Sequence, residues 1–271
     1  MTPFQKLTEA VGRTARDLWA RGWAERNAGN VSVRLTEEDL AGTPLTEGPW
    51  QELGVSLPEV ASRRFLFTAT GSYFRELALD PEGELGVVEI DGTGRSWRTL
   101  WGYRNGRGPT SEILPHLRAH AARMRSGRSA EGVLVHTHPT HLIALSYTMP
   151  LTTGTLTRLL WEMHTECIVV FPGGCGFVEW RMPGSEEQAR ATERVFEDRS
   201  LAVWDRHGVV AMGENLATSL GLIETAEKAA EIYLKAAALG PVTRKLDTGQ
   251  LKALAAKFGV EPDLEILEGE A

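Results

Sequence analysis

The chain has 271 residues with 29 Lys+Arg against 36 Asp+Glu, a formal net charge of −7 at pH 7 and a hydrophobic content of 42%. That size and composition exclude wholesale disorder and allow a substantial core. The acidic balance speaks against nucleic acid and against an anionic membrane surface as partners. No apolar run approaches the ~18 residues of a transmembrane helix, and the start, Met1-Thr2-Pro3-Phe4-Gln5-Lys6, lacks the apolar stretch of a signal peptide. Two cysteines, Cys167 and Cys175, are too few for a disulfide scaffold and read as packed thiols; the cytoplasm is the expected compartment.

Along the chain, Phe4 to Trp23 carries apolar residues at helical spacing. Asn27-Ala28-Gly29-Asn30 breaks that pattern, and Val31 to Leu35 alternates as a strand. Thr36 to Val60, rich in Pro, Gly and acidic residues, reads as a long excursion. Strands are expected at Phe65–Thr68, Gly86–Ile90 and Trp97–Trp101, then a helix from about Thr110 to Arg125. Gly132 to His138 has the β-branched character of a buried strand. A helix over Leu151–Met163, a strand pair from Glu166–Phe171 and Gly176–Trp180, and a helix over Glu186–Arg199 follow. Leu201–Val203 and Val209–Met212 flank a turn at Arg206-His207-Gly208, and helices over Leu216–Leu239 and Gln250–Phe258 complete the chain. Helices and strands alternate without a strict βαβ rhythm. One domain with a mixed or antiparallel sheet, covered by helices on both faces, is the economical reading.

His136-Thr137-His138 is the strongest chemical signal. Side chains two apart on a strand share a face, so both imidazoles open into one space, as in half of a transition-metal site. His207, in a turn between two apolar strands, is the best third ligand. His116 and His120, four apart on a helix, have a spacing that can bind metal but more often marks a solvated face; His141, directly after Thr140, is a candidate to support the ligands from behind, and His164 has no supporting pattern. Three turns suit a small anion: Asn27-Ala28-Gly29-Asn30, Thr70-Gly71-Ser72, and Pro109-Thr110-Ser111-Glu112 at a helix start. Glu112 reads either as a charge at a helix N-terminus or as a general acid/base. None of the six lysines lies within these motifs, which favours metal-assisted over Schiff-base chemistry.

Taken together, Glu25-Arg26-Asn27-Ala28-Gly29-Asn30, Thr70-Gly71-Ser72, Pro109-Thr110-Ser111-Glu112, His136-Thr137-His138 and His207-Gly208 resemble the class II aldolase family. Gly22 to Asn27, Leu160-Trp161-Glu162 with Thr165 to Pro172, and Gly221 to Lys228 are similar to the branch that acts on rhamnulose 1-phosphate. The resemblance implies a three-layer α/β/α domain with a largely antiparallel central sheet, assembled as a homotetramer with active sites near subunit interfaces. It implies one zinc ion on His136, His138 and His207, and reversible cleavage of L-rhamnulose 1-phosphate to dihydroxyacetone phosphate and L-lactaldehyde. Glu112 would be the acid/base. Phosphate would be held by Asn27, Gly29, Asn30, Ser72, Thr110 and Ser111, and Glu166 would reach the aldehyde side from a neighbouring subunit. The alternatives within the same scaffold are a fuculose-phosphate aldolase and a pentulose-phosphate 4-epimerase. A non-catalytic adducin-like module is disfavoured by the intact histidine set.

Overall fold

The computed structural model describes residues 1–269. Helix α1 (Pro3–Ala20) begins with a capping box, in which Thr2 accepts from the Gln5 N–H while the Gln5 side chain accepts from the Thr2 N–H. Its apolar stripe, Phe4, Val11, Ala15 and Leu18, is buried.

Nine strands among the described residues form one sheet: β1 (Asn30–Leu35), β2 (Gln51–Glu52), β3 (Arg64–Thr68), β4 (Leu85–Ile90), β5 (Ser96–Gly102), β6 (Val133–Thr137), β7 (Gly176–Val178), β8 (Leu201–Trp204) and β9 (Gly208–Gly213). Their order is β2-β5-β4-β3-β1-β6-β9-β8-β7, and every neighbouring pair is antiparallel except β7 with β8. Short helices α2 (Phe74–Leu77) and α3 (Pro81–Glu84) link β3 to β4, and α4 (Ile113–Arg125) links β5 to β6. Helices α5 (Thr140–Thr148), α6 (Thr153–Met163) and α7 (Thr165–Val170) lie between β6 and β7, and α8 (Glu186–Val195) leads into β8. The chain continues as α9 (Leu216–Ala237), α10 (Thr248–Phe258) and α11 (Leu264–Glu268).

Alternation along the strands builds two cores. Val31, Val33 and Leu35 of β1, with Val133 and Val135 of β6, pack into one cluster with residues of α1, α5, α6 and α9. The opposite face carries Phe65 and Phe67 against Leu117 and Ala121 of α4, and Leu134 and Val210 against Phe196 and α4. Each fully buried large apolar side chain contributes about 1.5–3 kcal/mol. The result is three layers with α4 and α8 on one side. Asn30, Ser32 and His136 project onto that same side, where they meet Glu112, His116 and His120.

Two sequence expectations are corrected here. Glu166–Phe171 is the helix α7, not a strand; Cys167 and Ile168 are buried in the core while Glu166 stays outside. The second half of the expected hairpin exists as β7, but it pairs in parallel with β8. The Thr36–Val60 excursion supplies the edge strand β2, which pairs with β5. Among the described residues no helix is long and apolar enough to cross a membrane.

Candidate metal-binding active site

β6 delivers the first two histidines. Thr137, between them, turns to the other face, where its hydroxyl donates to the Trp23 carbonyl at 2.5 Å. The His138 N–H donates to the same carbonyl at 2.8 Å, which fixes the strand end against the Glu25–Asn30 segment. Since β9 lies beside β6 in the sheet, the tight β8–β9 turn sets His207 next to that strand end. The three rings form a nearly equilateral triangle, with centroids 5.1 Å (His136–His138), 4.9 Å (His136–His207) and 5.3 Å (His138–His207) apart. One ligand nitrogen from each lies within 4.8 Å of the others. Trp204 closes the inner side, its ring 4.5 Å from His136 and 5.2 Å from His207.

Glycine is required at two positions around this triangle. A Cβ on Gly208 would sit 2.6 Å from the Thr137 carbonyl oxygen and 2.9 Å from both the His136 and His138 rings. At Gly29, φ is +80°, and a Cβ would sit 2.9 Å from the His136 carbonyl oxygen.

The ring protons are placed by partners on the far side of each imidazole. His136 Nδ1 donates to the Val209 carbonyl at 2.9 Å, and His138 Nδ1 donates to Glu25 Oε1 at 2.9 Å. Both leave Nε2 as the lone-pair nitrogen. The side-chain amide of Gln188 lies 3.4 Å from His207 Nδ1. Burial pushes the basicity of His136 well below the ordinary histidine range, with His138 adding to it; burial and the neighbouring His136 take His207 down to about 3. These two rings are therefore neutral at pH 7, the state in which an imidazole ligates a metal.

Glu112 stands at the N-cap of α4 and faces the triangle. Its Oε2 is 3.5 Å from His136 Nε2, and its Oε1 is 3.7 Å from His207 Nε2. Asn30 Nδ2 donates to Oε2 at 2.7 Å, whereas Oε1 is buried without a hydrogen-bond partner among the described residues. A buried carboxylate oxygen so left is a costly arrangement unless a cation or a proton donor meets it. Three imidazole nitrogens converging on one space, with that oxygen facing it, fit a first-row divalent ion that keeps a position open for substrate.

In front of the triangle opens a cleft of about 390 Å³. Five of the six residues expected to hold phosphate line it: Asn27, Gly29, Asn30, Thr110 and Ser111. Ser72 does not; its neighbours Thr70 and Gly71 reach the cleft, while its own hydroxyl is buried without a hydrogen-bond partner among the described residues. The Asn30 side chain is committed to Glu112 and His116. Arg26 supplies a positive charge at the rim. Glu166 is exposed on α7 and lies outside this cleft.

His116 and His120 correct another expectation, because both are buried rather than solvated. His141 is tied by its Nδ1 to Glu227 at 2.8 Å, at the start of α5. Sequence reasoning did not single out Glu25, Gln188 and Trp204, which support the ligand rings from behind. Only Glu25 carried a signal, through its position beside the Asn27–Asn30 turn.

The model of the Class II Aldolase and Adducin N-terminal domain matches residues 9–234. The chain is 42% identical over 259 residues to a rhamnulose-1-phosphate aldolase of Pectobacterium atrosepticum, covering 94% of each chain. It is 40% identical over 259 residues to the rhamnulose-1-phosphate aldolase of Salmonella paratyphi B, again with 94% of each covered. Among solved structures, a sugar-phosphate aldolase from Thermotoga maritima superposes with a TM-score of 0.77 at 32% identity, over 88% of this chain and 97% of that one. An L-fuculose 1-phosphate aldolase at 19% identity, with a TM-score of 0.62 over 94% and 96%, shares the fold. The histidine triangle, the carboxylate facing it and these matches lead to one assignment: the chain belongs to the class II aldolase family.

Proposed function

We propose that this chain, acting as one catalytic domain, is a metal-dependent aldolase that reversibly cleaves L-rhamnulose 1-phosphate to dihydroxyacetone phosphate and L-lactaldehyde. The observation that carries this reading is Glu112, whose two carboxylate oxygens lie 3.5 and 3.7 Å from the facing nitrogens of His136 and His207. The substrate choice is supported by the named activity of relatives about 40% identical over nearly the whole chain.

His136, His138 and His207 would hold the ion; zinc is the proposed metal because it accepts three neutral imidazoles and keeps a fourth position open. Such an ion supplies Lewis acidity for the negative charge that develops on the ketose oxygens. The remaining work belongs to the chain itself. As the carbon–carbon bond breaks, the hydroxyl that becomes the aldehyde gives up its proton on the side assigned below to Glu166, and Glu112 delivers a proton to the carbanionic carbon left on the three-carbon phosphate. In the condensing direction it removes that proton. Asn30 holds Oε2, so Oε1 is the oxygen that meets the reacting carbon. The phosphate is placed in the cleft between the Asn27–Gly29 turn, Thr70-Gly71 and the start of α4, where backbone dipoles favour an anion. Ser72 retains a place in this cradle if its hydroxyl turns outward.

Glu166 is proposed as the group that a neighbouring subunit of a homotetramer brings to the aldehyde side. Its exposure, and its place outside the lining of its own chain's cleft, support that reading.

The test is a product assay of the metal-loaded protein against ketose 1-phosphates and 5-phosphates, paired with metal analysis. Release of dihydroxyacetone phosphate from rhamnulose 1-phosphate is expected. Glu112→Gln is expected to retain the metal and lose most cleavage. An epimerised pentulose phosphate, or undiminished turnover in Glu112→Gln, would refute the assignment.

A further inference from the structure

Behind Glu112 and Asn30 lie three polar side chains, His116, Ser32 and His120, that the proposed reaction does not use. Asn30 and Ser32 sit two apart on β1 and face α4; Glu112, His116 and His120 sit four apart on α4 and its cap. The two sets interdigitate into one line, Glu112–Asn30–His116–Ser32–His120. Successive contacts are 2.7 Å (Asn30 Nδ2 to Glu112 Oε2), 2.5 Å (His116 Nε2 to Asn30 Oδ1), 2.8 Å (His116 Nδ1 to Ser32 Oγ) and 2.8 Å (Ser32 Oγ to His120 Nε2). All five residues are at least nine-tenths buried, and Ser32 and His116 are wholly so.

Elementary donor counting gives this row one direction. The carboxylate only accepts, so the Asn30 amide nitrogen faces Glu112 and its oxygen faces His116. His116 Nε2 must then carry the ring proton. Both imidazoles are kept neutral by burial, so His116 Nδ1 accepts, and the Ser32 hydroxyl donates to it. Ser32 Oγ in turn accepts from the proton on His120 Nε2. Every donor points toward Glu112. Reversing any one link sets two donors or two lone pairs against each other in a dry interior, which costs on the order of 1–3 kcal/mol.

A core has no energetic need for such a row, since apolar residues of similar shape fill the same space at comparable stability. We propose that His116, oriented by Ser32 and His120, is the positioning residue of Glu112. Through Asn30 it clamps Oε2 and leaves Oε1 as the single oxygen aimed at the reacting carbon. The inference rests on the reading of Glu112 as the proton-transfer group. It adds that the geometry of that group is set about two residues deeper in the core.

The test uses the metal-loaded protein and two reactions. Turnover of rhamnulose 1-phosphate is measured alongside exchange of the carbon-bound hydrogen of dihydroxyacetone phosphate in D₂O, followed by NMR. Exchange reports proton transfer without any aldehyde. If wild-type protein with bound metal exchanges no hydrogen, the reading of Glu112 itself fails. Given wild-type exchange, His116→Leu is expected to lower kcat and exchange about a hundredfold, with KM and metal content unchanged. His116→Gln is expected to recover most of that loss, because its amide nitrogen reaches the Nε2 position and donates to Asn30. Ser32→Ala, a milder change, is expected to lower both rates about tenfold and serves as the deciding variant should His116→Leu not fold. Wild-type rates in Ser32→Ala or His116→Leu, equal losses in His116→Leu and His116→Gln, or loss of metal in step with activity would overturn the proposal.

Discussion

His120 offers a measurement of how much the buried row costs. The ring is wholly enclosed, with Phe65 4.9 Å away, and burial first and the charge of Arg34 second take its basicity down to about 3. Above about pH 6.5 the imidazole is neutral in both the folded and unfolded chain and adds no pH dependence. Below that value the unfolded chain binds a proton that the folded chain refuses, so stability falls by about 1.4 kcal/mol per pH unit, until the folded ring itself titrates near 3. At pH 4.5 the accumulated loss from this one residue is about 2–3 kcal/mol. His120→Gln keeps a donor toward Ser32 and removes the titration. Urea unfolding followed by tryptophan fluorescence, at pH 7 and pH 4.5 and matched protein concentration, isolates the effect, since proton linkage at the metal ligands is common to both proteins. The wild type should lose about 2–3 kcal/mol more than His120→Gln between the two pH values. Equal losses would mean that the ring accepts its proton in the folded state, and the argument from burial would fail.

Two further changes probe the histidine triangle. Gly208→Ala places a methyl group against the Thr137 carbonyl and the rings of His136 and His138; stability should drop by about 1–3 kcal/mol and bound metal should fall sharply, read by thermal unfolding and metal analysis. Glu25→Ala removes the acceptor of the His138 Nδ1 proton from an exposed side chain; metal affinity should fall about 10–100-fold by competition titration, with thermal stability of the metal-free protein unchanged.

The metal triangle was legible because its logic is local. A period of two puts His136 and His138 on one face whatever the sheet looks like, and a tight turn between apolar strands displays His207. The pairing of β6 with β9 then converts two local facts into one site. Other features depend on context that spacing does not carry. His116 and His120 share a helical face, but nothing in their interval says which face. Here α4 packs on the sheet through one face and against its neighbour α8 along its flank, so even Arg123 is wholly buried. The run Cys167-Ile168-Val169-Val170 has strand composition, and a short apolar run does not distinguish a strand from a buried helical turn. Its packing against α6, α9 and α10 decided for helix. The order β2-β5-β4-β3-β1-β6 likewise came from pairings that join distant segments, such as Asn30 opposite His136. That single register brings the Asn27–Asn30 turn and the end of the His136–His138 strand into one cleft with Glu112.

A protein at −7 that handles a phosphorylated sugar is a paradox only for the molecule as a whole. The formally charged residues lining the cleft are Glu25, Arg26 and Glu112, which sum to −1 with the histidines left out of the count. A divalent ion on the histidines reverses that sum to +1, so the attraction for a small anion and the Lewis acidity for its ketone come from one charge. The acidic exterior keeps extended polyanions away, since these need a broad basic surface. The cleft needs only one dication, one arginine and the backbone dipoles of its turns. Burial that depresses the basicity of His136 and His207 leaves those two rings neutral at pH 7, the state in which an imidazole can ligate a metal, and it also makes stability depend on staying above the pH at which the unfolded chain begins to take up protons.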